Sequence, residues 1–204
     1  MILEWDPGRP KKKTTALIKE SLENGSIISY PTDTFYGLGC DLFNTKAIRT
    51  LYAMRGLSEK RPLSIIFKDI KDISEYAVLT DFAFRILKSM LPGAYTFILR
   101  AKRAVPRLLQ TAKRELGVRM PDHAAPRALV DLLGRPIINT TAKSAGLVAA
   151  SDPREIEQYF KKQVAFVIDG GIIAGEPSTV ISLVDDRVQL LREGKGPLTD
   201  LLRG

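Results

Sequence analysis

Hydroxyl and basic side chains gathered at the ends of apolar runs are the residues here with the types and spacing for chemistry. The densest group is Ser29-Tyr30-Pro31-Thr32-Asp33-Thr34-Phe35-Tyr36-Gly37-Leu38-Gly39, entered from the apolar pair Ile27 and Ile28. Pro31 has no N–H for a sheet ladder, so the strand predicted over 26–30 stops or lies at an edge there. Two threonines, a tyrosine and a carboxylate follow, and Gly37 and Gly39 would let backbone approach a ligand closely. A polar turn with a bulge would leave the same pattern. In Pro92-Gly93-Ala94-Tyr95-Thr96, a hydroxyl opens a predicted strand with Arg100 four residues on. Alternation puts Thr96, Ile98 and Arg100 on one face and Phe97 and Leu99 on the other. A threonine in line with an arginine suits an anion, and an exposed sheet face would leave the same pattern.

Other segments repeat the theme. Arg55-Gly56 precedes the basic turn Ser58-Glu59-Lys60-Arg61-Pro62-Leu63-Ser64, which reads equally as a solvated loop. Val118-Arg119-Met120-Pro121 sets one arginine between apolar neighbours, the pattern of an ion pair or, less often, a ligand clamp. Asn139-Thr140-Thr141-Ala142-Lys143 follows a buried strand with polar side chains that a core would not hold. Pro177-Ser178-Thr179-Val180 and Leu191-Arg192-Glu193-Gly194 complete the set.

Several site types are excluded. Gly194-Lys195 lacks the upstream glycine and the following Ser or Thr of a phosphate-binding P-loop. Gly37-x-Gly39 has no third glycine for a dinucleotide fingerprint. Cys40 and His123 are each single, which rules out a Cys/His metal cluster and an internal disulfide, so no metal ligands are assigned. His123 is expected to cap a helix or sit in a loop, and Cys40 to fill core space. With 31 Lys and Arg against 23 Asp and Glu, the net charge of +8 favours polyanionic partners: nucleotides, RNA or DNA. No apolar run reaches membrane-spanning length and no basic leader precedes an apolar core, so a cytoplasmic protein is expected.

The elements that must position these residues alternate between strands and helices. Helices are predicted from Thr14 or Thr15 to Asn24-Gly25, from Asn44 to near Gly56, over 80–91, over 126–133, and from Asp152-Pro153 to Phe160. Strands are predicted over 26–30, 63–67, 95–99, 117–120, 136–140, 164–169, 179–183 and 188–191, the last two a hairpin through Asp185-Asp186. The interleaving argues for α/β with a mixed sheet in a single domain over 14–197. Residues 1–13 are expected as a basic N-terminal arm and 198–204 as a tail.

Taken in order, Tyr-Pro-Thr-x-Thr-x-Tyr-Gly-Leu-Gly, Pro-Gly-x-Tyr-Thr, Val-Arg-x-Pro, Pro-Ser-Thr-Val-Ile and Leu-Arg-x-Gly-x-Gly resemble the YrdC-like family, the threonylcarbamoyl-AMP synthases. The resemblance spans about residues 14–197. It implies a twisted mixed sheet flanked by helices, with a concave, positively charged cleft. It further implies joining L-threonine, bicarbonate and ATP, with Mg²⁺, into threonylcarbamoyl-AMP and pyrophosphate for tRNA modification. By position, the resemblance assigns Thr32, Tyr36, Arg100, Asn139 and Ser178 to threonine. Arg55, Lys60, Arg61, Thr96, Thr141, Lys143 and Arg192 would serve the nucleotide, with Arg55 and Lys143 catalytic. Positioning and charge neutralisation would carry such a reaction.

Two departures stand out. The arginine of the family's Lys-x-Arg falls on Leu57, and the asparagine of its Ser-x-Asn falls on Lys143. Together they resemble the YciO-type branch. Leucine cannot replace a bidentate phosphate donor. Two outcomes stay open: a synthase of weakened activity, and a diverged protein binding double-stranded RNA or tRNA without turnover. For the second, Lys11-Lys12-Lys13, Lys102, Arg103, Arg107, Lys113 and Arg114 would supply the surface.

Overall fold

The computed structural model describes residues 1–59, 61–109, 113–143, 149–173 and 175–199. In chain order the elements are β1 (Ile2–Leu3), α1 (Lys12–Glu23), β2 (Ile28–Tyr30), β3 (Gly37–Asp41), α2 (Thr45–Met54), β4 (Ser64–Ile66), α3 (Ile70–Tyr76), α4 (Asp81–Met90) and β5 (Tyr95–Arg100). There follow β6 (Glu115–Arg119), α5 (Ala124–Leu133), β7 (Ile137–Thr141), α6 (Pro153–Phe160), β8 (Val167–Ile168), β9 (Thr179–Ser182) and β10 (Gln189–Arg192).

The helices start where side chains can satisfy their orphan amides. Asn44, Thr80 and Asp152 accept from Ala47, Ala83 and Arg154 N–H. His123 Nδ1 caps α5 by accepting from Ala125 N–H at 3.1 Å, so His123 is a capping residue. Helix α1 departs from expectation: it begins at Lys12 with no side-chain cap, and Thr15 instead accepts from the Trp5 indole. Gly134 ends α5 in the left-handed conformation that the glycine supplies without strain.

The ten strands form one mixed sheet in the order β1-β8-β2-β3-β7-β4-β6-β5-β9-β10. β8 lies parallel to β1 and β2, β4 to β6, and β5 to β9, whereas β3 and β7 run antiparallel to their neighbours. β9 and β10 form the expected antiparallel hairpin, with Asp185 and Asp186 both at positive φ in its turn. Residues 2–3, within the expected arm, are the edge strand β1.

Alternation along the strands sends side chains into two cores. One holds Leu38, Cys40, Ile65, Tyr95, Phe97, Leu99, Val118, Ile138 and Ile181 with apolar residues of α2, α3, α4 and α6. The other holds Ile28, Tyr30, Ile66, Ile137 and Ile168 with Ile18 and Leu22 of α1 and Leu129, Val130 and Leu133 of α5. The second core stops at β4. Beyond it, on β6, β5 and β9, that same face carries Gly117, Arg119, Thr96, Ile98 and Val180, which line an open cleft, and Glu115, Arg100 and Ser182, which do not. The cleft is the part of one sheet face that α1 and α5 leave uncovered.

Candidate functional site

The cleft encloses about 840 Å³. Its floor comes from β4, β5, β6, β7 and β9 through Ser64, Thr96, Ile98, Gly117, Arg119, Asn139, Thr140, Thr141 and Val180. Its walls come from Phe35, from 55–57 and 61–63, from Lys143 and Ala149, and from Pro177, Ser178 and Arg192. Five of these side chains are cationic (Arg55, Arg61, Arg119, Lys143 and Arg192), and no Asp or Glu stands among the described lining residues.

On one wall Thr96 Oγ1 and Ser178 Oγ lie 2.8 Å apart, and Arg192 Nη2 donates to Ser178 Oγ at 3.2 Å and to its carbonyl at 2.7 Å. No acidic side chain stands among the described lining residues, so these hydroxyls leave the Arg192 charge unneutralised. On another side Arg55 Nε donates to Thr140 Oγ1 at 3.3 Å, and its Nη1 to the Lys143 carbonyl. Burial holds both Arg55 and Arg192 below the usual arginine range, and the charge of Arg61 pushes each further the same way. Three guanidiniums thus share one field, an arrangement that favours an incoming anion.

Asn139 forms part of the floor by a closed network. Tyr30 O–H donates to Asn139 Oδ1 at 2.9 Å, and Asn139 Nδ2 donates to Ser64 Oγ at 3.1 Å. Gly37 and Gly39 serve that network and not a ligand. A Cβ on Gly37 would meet Asn139 Oδ1 at 2.6 Å, and one on Gly39 would meet the Tyr30 hydroxyl at 2.6 Å. The stretch 37–41, for which no strand was predicted, is the buried strand β3.

Of the residues singled out in the sequence, Arg55, Arg61, Thr96, Asn139, Thr141, Lys143, Ser178 and Arg192 are brought together in the cleft. Lys60 lies outside the described residues. Thr32 is buried in its own turn, donating to the Phe35 carbonyl at 2.6 Å and accepting from Thr34 N–H at 3.1 Å. Tyr36 points into the core on the other side of the sheet, where its hydroxyl accepts from Gly170 N–H and donates to the Gly171 carbonyl, each at 2.8 Å. Burial pushes that phenol up to about 12. Neither Thr32 nor Tyr36 is among the lining residues. Arg100 continues the face of Thr96 and Ile98 but is not among the described lining residues; it pairs with Asp185 at 3.0 Å and donates to the Lys113 carbonyl. The residue that supplies a buried guanidinium is Arg119, flagged in the sequence only as an arginine between apolar neighbours. Ser64, Thr140 and Phe35 also line the cleft. Ser64 lies opposite Asn139 in the β4–β7 register and so shares its face, whereas Thr140 has the opposite strand parity, which does not mark it.

Mg²⁺ prefers an octahedron of oxygen ligands, commonly including carboxylates. The described cleft lining offers no carboxylate, and the described residues contain no metal-binding cluster of acidic, His or Cys side chains. The donor set therefore does not fit a protein-held Mg²⁺, and such an ion would enter with a nucleotide as part of the substrate. No helix among the described residues is long and apolar enough to cross a membrane.

Comparison with known proteins places this geometry in context. The Sua5/YciO/YrdC family model, described as telomere recombination, matches residues 20–194. YciO of Escherichia coli, an uncharacterized protein, is 35% identical over 198 residues, covering 96% of each chain. Its crystal structure superposes with a TM-score of 0.91, covering 98% of both chains. A protein of Methanocaldococcus jannaschii provisionally named a threonylcarbamoyl-AMP synthase is 34% identical, covering 95% of this chain and 91% of its own. The crystal structure of P. abyssi Sua5 complexed with L-threonine superposes with a TM-score of 0.91 at 26% identity, over all of this chain and 60% of that one.

Proposed function

Because the chain belongs to the Sua5/YciO/YrdC family, we propose that it joins L-threonine, bicarbonate and ATP into threonylcarbamoyl-AMP and pyrophosphate, for use in tRNA modification. The observation that carries the proposal is the cluster of cations and hydroxyls, with no carboxylate among the described lining residues of the cleft. Threonine bound to a Sua5 of the same fold supports the amino-acid half, and the provisionally named synthase relative supports the reaction.

In this reading the threonine amine and bicarbonate give a carbamate with loss of water. A carbamate oxygen then attacks the α-phosphorus of ATP, and the bond to the β-phosphate oxygen breaks as pyrophosphate leaves. The attacking oxygen is already anionic, so no dedicated base is required. The protein holds two anions together against their repulsion, the task for which preorganised guanidiniums and hydroxyls are suited. Arg55, Arg61, Lys143 and Arg192 would face phosphates, with Thr96, Thr141 and Ser178 orienting the ligands. Asn139 acts through the floor, because both ends of its amide are already bonded. Leu57, where the family carries arginine, lines the cleft without a donor, which reduces phosphate binding and makes the turnover slow.

Pyrophosphate release from ATP and bicarbonate, with and without L-threonine, tests the proposal. Threonine-dependent release is expected. Absence of release at any threonine concentration, alongside RNA binding that falls steeply with salt, would replace it with the reading of a diverged RNA-binding protein.

A further inference from the structure

Arg119 and Asp33 form an ion pair at 2.9 Å whose side chains are only 7% and 9% exposed. Burying such a pair is costly, and apolar residues of the same size would stabilise the fold about as well. Its geometry has other uses. Asp33 Oδ1 accepts from Arg119 Nη2, while Oδ2 accepts from Asp122 N–H at 2.9 Å at the entry to α5. Thr34 Oγ1 accepts from the same Nη2 at 3.1 Å. Lys195 Nζ donates to the Asp33 carbonyl, and Lys195 N–H is bonded to the Pro177 carbonyl beside Ser178. One aspartate therefore joins the end of β6, the start of α5 and the segment after β10. Arg119 also lines the cleft, and its Nε is buried with no hydrogen-bond partner. An unsatisfied donor in a charged group is costly unless a ligand uses the group.

From this geometry, and resting on the function proposed above, we propose that Asp33 is a positioning residue that holds Arg119 in the cleft floor to receive anionic oxygens of the ligand. The shared chemistry is an oxyanion, which either the threonine carboxylate or a nucleotide phosphate supplies. Asp33 touches neither; by occupying Nη2 it fixes the plane of the guanidinium and leaves the rest of the fork for the ligand.

The test uses Asp33→Asn, which keeps the size of the side chain and an acceptor for Asp122 N–H. Calorimetric titration of L-threonine alone and of ATP alone separates the two sources. Affinity for one of them is expected to fall about ten- to a hundredfold, the loss of a charge-assisted contact, with the other unchanged. In protein labelled with ¹⁵N-arginine, the Arg119 Nε–H signal, assigned by its loss in Arg119→Lys, is expected to exchange slowly in the wild type and quickly in Asp33→Asn. Unchanged affinity for both ligands, with only a lower melting temperature, would show a structural ion pair and overturn the proposal. If neither ligand binds the wild type, the proposed function fails. The Nε–H signal then decides the role of Asp33: loss of protection in the variant supports it, and unchanged protection overturns it. Should Asp33→Asn not fold, Thr34→Val, which removes the second contact to Nη2, is expected to give a severalfold loss in the same titrations, and no loss would overturn the proposal.

Discussion

Replacing Leu57 by arginine and Lys143 by asparagine should strengthen nucleotide binding. Both side chains line the cleft, and the two changes leave its net charge unaltered. Leu57 N–H is bonded to the Tyr52 carbonyl at 3.0 Å, and Gly56 takes positive φ just before it. A longer side chain at 57 thus enters the cleft from an anchored backbone. A new guanidinium–phosphate contact is worth about 1.5–3 kcal/mol. Against it stands repulsion from Arg55 and Arg61, roughly 1 kcal/mol per pair at a separation of order 8 Å and an effective dielectric of about 40. Removing the Lys143 charge offsets one such term, and the asparagine amide that replaces it keeps a neutral donor toward the phosphates in place of the lost ammonium contact. The Arg55 contact at that position is to the Lys143 carbonyl, which Lys143→Asn retains. The double variant should therefore bind ATP about tenfold more tightly, and Leu57→Arg alone should gain less. ATP titration calorimetry and threonine-dependent pyrophosphate release measure this. A double variant with an unchanged melting temperature, ATP affinity within about twofold of wild type and no faster release would refute the assignment of phosphates to this end of the cleft.

Arg192→Gln removes the charge beside Ser178, and ATP binding should weaken by about one to two decades while urea unfolding changes little. Tyr30→Phe leaves Asn139 Oδ1 without its buried donor and should cost about 1–3 kcal/mol in urea denaturation. Gly194→Ala would bring a Cβ to 2.2 Å from the Pro177 carbonyl, so a lower melting temperature and weaker nucleotide binding should appear together. Burial, with the charge of Asp41 adding to it, pushes the Cys40 thiol up to about 12. An unfolded thiol titrates near ~8.5, so above that pH the unfolded chain binds fewer protons than the folded one. The stability contribution from Cys40 is thus complete below about pH 8.5 and declines toward pH 12. Alkaline urea titrations should show this decline, and Cys40→Ala should reduce its slope.

Much of the architecture was open to inference from local chemistry. Caps at Asn44, Thr80 and Asp152, the glycine after Leu133 and the period-two pattern at 95–99 depend on neighbours within a few residues, which is why they could be anticipated. β3 was not legible, because glycine at 37 and 39 signals a turn locally. Only the Tyr30 ring and the Asn139 amide, brought across the sheet, make glycine necessary in a strand.

The candidate site divides in the same way. Residue type and order singled out the candidate arginines and hydroxyls, and the family resemblance singled out the departures at Leu57 and Lys143. Which of them meet was decided by tertiary structure. Arg100 shares its strand face with Thr96 yet pairs with Asp185, since the cleft ends before it. Arg119, one of several isolated arginines in the sequence, becomes a buried cleft residue because Asp33, 86 positions away, lies against it. The cleft itself exists because α1 and α5 cover only part of one sheet face, a consequence of strand order and helix placement that no single segment encodes.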